Sequence, residues 1–321
     1  MFDYDAIIIG GGPAGLTAGI YLGRGRLRVL LLESEAFGGQ VKNVEWIENY
    51  PGFAEGVSGP RLASEMINQA MRWGVQLELR EVLEVESFSS CKSVICTGGR
   101  GYTAAVIIIA GGSRPKKLGV PGEDTFLGKG VIHCALCDGD QFKENVVAVC
   151  GGGDAGVTEA MYLANLASKV ILIEAQPSLT ATAVLQERAH ANPRLEIRCE
   201  EQVAAIRGDE RVRAIDVTNV ETGTRETLNV DGVLVHVGIE PSTGYLQDVL
   251  PLDAHGQILV NNRLETEVSG IIAAGDIRGG SPRQVAAAVG DGAAAAIAAQ
   301  RLLQVSARGE QMLIQTGLKK R

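Results

Sequence analysis

The same glycine-rich pattern occurs twice in this chain, and the repeat restricts the fold more than any other feature. Gly10-Gly-Gly-Pro-Ala-Gly15 is followed by Glu33, and Gly151-Gly-Gly-Asp-Ala-Gly156 is followed by Glu174, an offset of 141 residues at each matched position. Each copy lies between two apolar segments, a pattern that predicts a strand, a tight turn, a helix and a second, parallel strand. The sequence therefore predicts an α/β fold with two Rossmann-like dinucleotide-binding domains of the three-layer ββα type.

Each residue type in this pattern has a physical role. The first glycine permits the tight turn, the second lets the backbone approach a pyrophosphate, and the third lets the helix pack on the strand. The helix N-terminus presents N–H groups to the phosphates, and the acidic residue can accept hydrogen bonds from a ribose. A single pattern of this kind is weak support for a site, whereas two in the same context are strong. The second site would include Gly151, Gly153, Gly156 and Glu174.

Glycine- and proline-containing segments predict how the two domains are connected. Residues 111–115 and 238–241 resemble linkers, which places the second dinucleotide-binding pattern in an insertion within the first domain. The expected domains are residues 1–115 with 241–321, and residues 116–240. An alanine-rich helix is predicted over 286–303, and the tail 304–321 is assigned no role.

Cys134 and Cys137 form a CxxC motif 14 residues ahead of the second glycine pattern. In such a motif one thiolate attacks a disulfide and the other resolves the mixed disulfide. A zinc site is disfavoured because zinc needs about four ligands. The nearest other cysteines, Cys91 and Cys96, are an odd number of residues apart on predicted strands and should face opposite sides. The motif thus predicts disulfide chemistry and no metal, without assigning which cysteine attacks.

Composition and charge narrow the setting in which this chemistry takes place. The formal net charge of −8 argues against nucleic acid as a partner. We find no secretory signal, and no apolar run reaches the ~20 residues that a membrane helix needs. The six cysteines are therefore expected in a reducing cytoplasm, with no membrane association. His236, in an apolar segment, is interpreted as a core residue.

Taken with the CxxC motif, several segments make the chain similar to the low-molecular-weight thioredoxin reductase family of flavoproteins over residues 3–303. They are Gly10–Gly15 with Glu33, Gly38-Gly-Gln40, Ile47-Glu-Asn-Tyr-Pro-Gly-Phe53, Ile109-Ala-Gly-Gly112, Cys134-Ala-Leu-Cys-Asp138, Gly151–Gly156, and Ala274-Gly-Asp-Ile277 with Arg283-Gln284. The resemblance implies a homodimer with FAD in the first domain and the redox pair in the inserted one. It also implies that Asp138 acts as the acid or base that handles the thiol proton.

The resemblance further implies which residues hold FAD. The glycine turn would meet the pyrophosphate, Glu33 would meet the adenosine ribose, and the other residues would line the rest of the cofactor. The set is Gly10, Gly12, Pro13, Ala14, Gly15, Glu33, Gly39, Gln40, Asn49, Ala110, Gly111, Asp276, Arg283 and Gln284.

The chain departs from the family at the residues that recognise NADPH. Members that use NADPH carry a basic cluster after the second strand of the repeat, but here the positions read Glu174-Ala175-Gln176, and no Lys or Arg lies between Lys169 and Arg188. A carboxylate repels a 2′-phosphate, whereas Arg pairs with it. The sequence therefore disfavours NADPH and leaves open NADH, ferredoxin as donor, a second flavin, or a turn without a ligand.

The function expected from these observations is that of an FAD-dependent thiol–disulfide oxidoreductase. Electrons would pass from the donor to FAD, then to the Cys134–Cys137 pair, and on to a thioredoxin-like protein. Two other enzyme classes remain as alternatives: a dithiol oxidase that uses oxygen, and a flavoenzyme like ferredoxin–NADP reductase, against which the CxxC motif counts. A non-enzymatic redox sensor is the remaining class.

Overall fold

The computed structural model of the protein describes residues 2–88, 91–246 and 248–315, with side chains in the last helix described up to residue 305. The chain divides into two compact units, one formed by Met1–Ser113 with Pro241–Arg321 and the other by Arg114–Glu240. These boundaries lie within two residues of those expected from the glycine and proline segments. We call them the outer unit and the inserted unit.

The outer unit begins with a parallel βαβ unit. Strand β1 (Tyr4–Ile9), helix α1 (Pro13–Arg24) and strand β2 (Val29–Glu33) contain the first glycine pattern. The further elements are helix α2 (Gly59–Arg72) and strands β3 (Gln76–Leu79), β4 (Val82–Ser87), β5 (Lys92–Cys96) and β6 (Gly101–Ile109). The strands form a mixed sheet in the order β3-β2-β1-β6-β5-β4.

The central strands of the sheet in the outer unit are apolar on both faces. Leu30, Leu31 and Leu32 in β2 are fully buried, as are Ile107, Ile108 and Ile109 in β6. Continuous apolar runs are typical of parallel strands covered on both sides. The burial of each such side chain contributes roughly 1.5–3 kcal/mol to the stability of the folded state. This burial holds the strands in place, and the glycine turns begin at their ends.

The chain then passes through strand β7 (Ser113–Pro115) into the inserted unit, which repeats the βαβ arrangement. Its elements are β8 (Val131–Ile132), α3 (Ala135–Asp138), β9 (Val146–Cys150), α4 (Asp154–Leu166), β10 (Lys169–Ile173), α5 (Ala183–Ala191), β11 (Leu195–Arg198), β12 (Glu201–Gly208), β13 (Val212–Asn219), β14 (Arg225–Asn229) and β15 (Gly232–Val235). A parallel sheet has the order β11-β10-β9-β15-β8, and β12, β13 and β14 form a separate antiparallel sheet. The predicted pair of Rossmann-like folds, one inserted into the other, is confirmed.

The chain leaves the inserted unit through strand β16 (Ile239–Pro241), which pairs with β7. Strand β17 (Ile271–Ala273) then lies parallel to the carboxyl half of β6, and helix α6 (Val285–Gln315) packs on α1. The helix is longer than the predicted 286–303, so part of the tail that was given no role is helical. Among the described residues, no helix is long and apolar enough to cross a membrane.

Candidate functional site

The first glycine turn has a backbone that only glycine can adopt. Gly10 has a φ of 108°, and a Cβ atom there would collide with the carbonyl oxygen of Ala110. A Cβ atom on Gly15 would collide with the carbonyl oxygen of Gly10, because the first turn of α1 packs directly on the strand end. The spacing of these glycines is thus required by the contact between helix and sheet.

The second glycine turn repeats these contacts. Gly151 has a φ of 111°, and a Cβ atom there would collide with the carbonyl oxygen of His236. A Cβ atom on Gly156 would collide with the carbonyl oxygen of Gly151. This geometry is needed for the fold whether or not a ligand binds. The presence of the pattern in the second copy is therefore not by itself a sign of nucleotide binding.

The middle positions of the two turns differ from the others because they are open. The nearest atom to a Cβ on Gly12 would be the Gly39 Cα at 3.7 Å, and on Gly153 the Thr180 Oγ1 at 3.7 Å. Both glycines directly precede helices of 12 residues or more, so each turn presents backbone N–H groups beside open space. This arrangement suits a pyrophosphate.

The acidic residue of each copy holds its own glycine turn. Glu33 Oε2 accepts a hydrogen bond from the Gly11 N–H at 2.8 Å, and Glu174 Oε2 accepts one from the Gly152 N–H at 2.6 Å. Glu174 Oε1 also accepts from the Gln176 N–H at 2.9 Å, and Glu174 is only 9 % exposed. A carboxylate has about four acceptor positions, so both residues keep capacity for a ribose hydroxyl.

Residues expected to hold FAD lie at the carboxyl end of the outer sheet. Gly39 lies against Gly12, and the turn at Gly275, one residue before Asp276, lies against Ala14. Pro13 and Ala14 form the start of α1, and the Gly10 turn packs against the Ala110 carbonyl. The structure thus brings together segments that are more than 200 residues apart in the chain.

The polar members of this set are connected to one another or to the backbone. Asn49 Nδ2 donates to Gln284 Oε1 at 3.1 Å, and Gln40 Nε2 donates to the Ser113 carbonyl at 3.4 Å. Gly111 lies near Ile277 and the hydroxyl of Tyr245, a buried group that makes no hydrogen bond in the described part of the chain.

Asp276 is the most perturbed acid of this region. Burial raises the pKa of its carboxyl above the ordinary value of 3.8, although the Ser281 hydroxyl, which donates to Oδ1 at 3.1 Å, and the nearby Arg283 act in the opposite direction. Arg283 has a φ of 56°, which turns the chain sharply before α6. The Asp276 carboxyl at this strand end is therefore more readily protonated than an ordinary aspartate.

Two residues that sequence reasoning missed position the Asp276 turn. Asp291 on α6 accepts from the Gly275 N–H at 2.9 Å and pairs with Arg278, whose Nε lies 2.6 Å from Oδ2. Both side chains are nearly buried. The signal in the sequence was a single carboxylate in the alanine-rich segment 286–303, where a buried charge requires a partner.

The redox pair of the inserted unit is a disulfide between Cys134 and Cys137, with a Cα–Cα distance of 5.4 Å. Cys134 is 8 % exposed, whereas Cys137 is exposed. Cys134 precedes α3, a single turn that ends at Asp138, and Cys134 Sγ accepts a hydrogen bond from the Cys137 N–H at 3.1 Å. Asp138 is exposed beside Cys137, so its carboxylate is accessible together with one sulfur of the pair.

The other buried thiols are unsuited to this chemistry. Complete burial raises the pKa of Cys150 to about 12, and burial also raises the pKa of Cys96 above its usual value. Thiols with raised pKa values carry little thiolate and react slowly. Both cysteines are buried and pack as small apolar side chains.

A cavity of about 520 Å³ lies at the second glycine turn. The glycine turn Gly151–Gly153 forms part of its lining. The lining also includes the titratable residues Glu174, Glu201 and His236, and no Lys or Arg is among the described lining residues. His236, which was interpreted as core, follows β15; its Nε2 is buried, and the residue also forms part of the cavity wall. Its strand ends at Val235 because the glycine turn packs on the His236 carbonyl.

A cation on a neighbouring strand was not considered at the sequence level. Arg198, at the end of β11, accepts the Glu174 N–H with its carbonyl at 2.9 Å. Its guanidinium forms ion pairs with Glu201, whose Oε2 lies 2.8 Å from Nε, and with Glu226. These two carboxylates hold the pKa of Arg198 above its usual range. The positive charge of Arg198 is therefore already offset by two carboxylates.

Comparisons with known proteins agree with this geometry. The family described as "Pyridine nucleotide-disulphide oxidoreductase" matches residues 4–292. Thioredoxin reductase of Treponema pallidum (strain Nichols) is 41 % identical over 297 residues, which cover 92 % of this chain and 96 % of the relative.

Solved structures are similar over nearly the whole chain. The crystal structure of Lactococcus lactis thioredoxin reductase is 35 % identical with a TM-score of 0.91, covering 94 % of this chain and 99 % of that one. A ferredoxin-flavin thioredoxin reductase from Clostridium acetobutylicum is 30 % identical with a TM-score of 0.51, covering 94 % and 98 %. The chain belongs to the pyridine nucleotide-disulphide oxidoreductases and, within them, to the low-molecular-weight thioredoxin reductase family of FAD-dependent thiol–disulfide oxidoreductases.

Proposed function

We propose that this member of the thioredoxin reductase family passes electrons from FAD through Cys134 and Cys137 to the disulfide of a thioredoxin-like protein, and that NADPH is not its electron donor. The disulfide with one exposed and one buried sulfur carries the first part of the proposal. The acidic wall of the cavity at the second glycine turn carries the second part.

FAD fits the residues at the first glycine turn. The open space at Gly12, the N–H groups at the start of α1 and the carboxylate of Glu33 suit a pyrophosphate and a ribose. When bound, FAD supplies a carrier that accepts and returns two electrons. The remaining members of the proposed binding set are Gly10, Pro13, Ala14, Gly15, Gly39, Gln40, Asn49, Ala110, Gly111, Asp276, Arg283 and Gln284.

The exposure of Cys137 suggests its part in the reaction. In the reduced pair, the Cys137 thiolate attacks one sulfur of the partner's disulfide and forms a mixed disulfide, and the partner's other sulfur leaves as a thiolate and takes a proton. The Cys134 thiolate then attacks Cys137 Sγ and releases the second partner sulfur. The pair is oxidised by two electrons and the partner is reduced by two. Asp138 delivers the proton to the leaving sulfur.

The choice of donor follows from charge at the second site. The 2′-phosphate that distinguishes NADPH from NADH carries about two negative charges and needs cationic partners. Here Glu174 occupies the strand end, Glu201 lines the same cavity, and Arg198 is engaged by Glu201 and Glu226. NADH lacks the phosphate and meets no such repulsion. Reduced ferredoxin is the alternative donor, since one relative bears that name.

Anaerobic titration of the purified flavoprotein with NADPH, NADH and reduced ferredoxin tests the donor. Bleaching of the flavin absorption should be slower with NADPH than with NADH or ferredoxin. The double variant Glu174→Gln with Gln176→Arg should narrow the difference between NADH and NADPH, because it removes the repelling charge and adds a cation. Rapid stoichiometric bleaching of the unaltered protein by NADPH would overturn this part of the proposal.

Reduction of a thioredoxin-like protein tests the dithiol pathway separately. With dithionite as an artificial donor, the flavoprotein should reduce thioredoxin, and Cys137→Ser should abolish this activity while FAD stays bound. Oxygen consumption driven by small dithiols, without thioredoxin reduction, would instead indicate a dithiol oxidase. We also propose a homodimer on the family likeness, which sedimentation would test.

A further inference from the structure

Glu159 connects the redox pair with the wall of the cavity inside the inserted unit. It lies on α4, six residues into the helix that follows the second glycine turn. Its Oε2 accepts a hydrogen bond from the Ala135 N–H at 2.7 Å, and Ala135 is the fully buried residue directly after Cys134. Its Oε1 lies 3.0 Å from Nε2 of His236. Each oxygen of this carboxylate therefore serves a different functional region.

The contact with His236 is electrostatic. Both side chains are about 15 % exposed, and Nε2 is buried but not aligned for a hydrogen bond within the described residues. A carboxylate next to an imidazole gains a strong interaction only when the imidazole is protonated. The contact couples the Glu159 carboxylate to the His236 ring.

His236 is placed to respond to a ligand in the cavity. His236 lines the cavity, and its carbonyl supports the Gly151 turn, where the phosphates of a nucleotide would lie. The titratable groups at or near the cavity include Glu159 from α4, Glu174 after β10, Glu201 on β12, Cys150 at the end of β9, the buried Glu123, and Lys116, which lies beside Gly238. Most of them are acidic, so an added phosphate group changes a local field that is already negative.

We propose that Glu159 is a positioning residue that couples occupancy of the second nucleotide cavity to the redox equilibrium of Cys134 and Cys137. This inference rests on the proposed role of the pair in electron transfer. The negative charge beside the Cys134–Ala135 peptide disfavours the thiolate form of the reduced pair. Phosphates bound at the Gly151 turn act on the His236 backbone that supports this turn, and His236 passes the effect to Glu159 through its side-chain contact. Drawing the carboxylate away from the Ala135 N–H favours the reduced pair. By linkage, the nucleotide binds more tightly to the reduced protein than to the oxidised one.

The charge of Glu159 is tested by its effect on the thiol–disulfide equilibrium. The full-length flavoprotein is equilibrated in glutathione buffers, quenched with acid and alkylated, and the peptide containing residues 134–137 is quantified by mass spectrometry. Glu159→Gln keeps an oxygen acceptor for the Ala135 N–H and removes the charge. It should shift the equilibrium constant toward the dithiol by about three- to tenfold at a pH above the thiol pKa.

Glu187→Gln is the matched control, since Glu187 is exposed on α5 of the same unit and the charge change is the same. It should leave the equilibrium unchanged. If Glu159→Gln also leaves it unchanged, Glu159 is only a structural hydrogen-bond acceptor and the proposal is wrong. A shift of equal size in the control would point to net charge and would likewise overturn it.

The coupling is tested with ADP, which has the phosphates of a dinucleotide and no redox activity. ADP should bind the FAD-loaded protein and shift the same equilibrium toward the dithiol, and His236→Gln should remove most of this shift. Binding without a shift, an equal shift in His236→Gln, or no binding at millimolar ADP would each overturn the coupling. Thioredoxin reduction with dithionite, measured in parallel, shows whether the proposed function itself holds.

Discussion

Cys134 Sγ accepts a hydrogen bond from the Cys137 N–H at 3.1 Å, within a disulfide whose two residues differ sharply in exposure. Cys134 is nearly buried and Cys137 is exposed, so a bulky partner disulfide has direct access to only one of the two sulfurs in this conformation. The order in which the cysteines react can be tested directly.

Cys134→Ser should trap a mixed disulfide between Cys137 and a thioredoxin-like substrate, because the resolving thiol is absent. Non-reducing gels and mass spectrometry of the joined peptides would detect it. Cys137→Ser should give no such adduct under the same conditions. Trapping through Cys134 in the Cys137→Ser variant, with none through Cys137, would reverse the assignment.

Two glycines in α6, separated by one residue, should respond in opposite directions to the same substitution. A Cβ atom on Gly292 would collide with the Ala14 carbonyl and lie 2.9 Å from Thr17 Cβ, whereas one on Gly290 would meet open space. Gly292→Ala should lower the free energy of unfolding by about 1–3 kcal/mol through overpacking. Gly290→Ala should raise it by roughly 0.5–1 kcal/mol because alanine favours the helix. Urea unfolding of the two variants provides the comparison, and equal effects would refute the packing of α6 on α1.

Asp276 should make stability depend on pH in a defined direction. Burial raises the pKa of its carboxyl above 3.8, so the protonated acid favours the folded state. This contribution is complete below the unfolded-state pKa and is lost as the pH rises through the folded-state pKa. Asp276→Asn keeps a neutral group and an acceptor for Ser281. In the flavin-free protein, the advantage of the variant in unfolding free energy should therefore grow as pH rises from 4 to 7, and a constant difference would contradict the assignment.

Cys150 should resist alkylation in the folded protein. With a pKa raised to about 12 by burial, the thiol is ionised in only about one molecule in ten thousand at pH 8. Iodoacetamide should label Cys134 and Cys137 after reduction and should label Cys150 only after unfolding. Peptide mass spectrometry at both stages distinguishes these residues, and early labelling of Cys150 would show that β9 opens readily.

The parts of the fold that sequence reasoning predicted are those in which local chemistry decides the outcome. The glycines at 10, 15, 151 and 156 occupy positions that no other residue fits, and the apolar runs of β1, β2, β9 and β10 have few alternative environments. Strong local constraints of this kind leave a clear pattern in the sequence. The extent of α6 was predicted too short because mixed polarity toward the end of the chain carries no comparable constraint.

The parts that were missed depend on contacts between distant segments. His236 was assigned to the core because its neighbours in the sequence are apolar, but its environment is set by Glu159 on α4 and by the Gly151 turn. Asp291 and Arg278 likewise find each other only after α6 packs beside the Gly275 turn. A single sequence does not encode such pairs in its spacing.

The pairing of β7 with β16 has a practical consequence. On the side of the outer unit the Ser242 N–H donates to the Gly112 carbonyl, and on the side of the inserted unit the Lys116 N–H donates to the Gly238 carbonyl. Residues 114–240 therefore enter and leave through adjacent strands, which is the condition under which insertions are tolerated. A chimera that joins residues 114–240 of another family member to this outer unit would therefore show whether the inserted unit determines the preference for the electron donor.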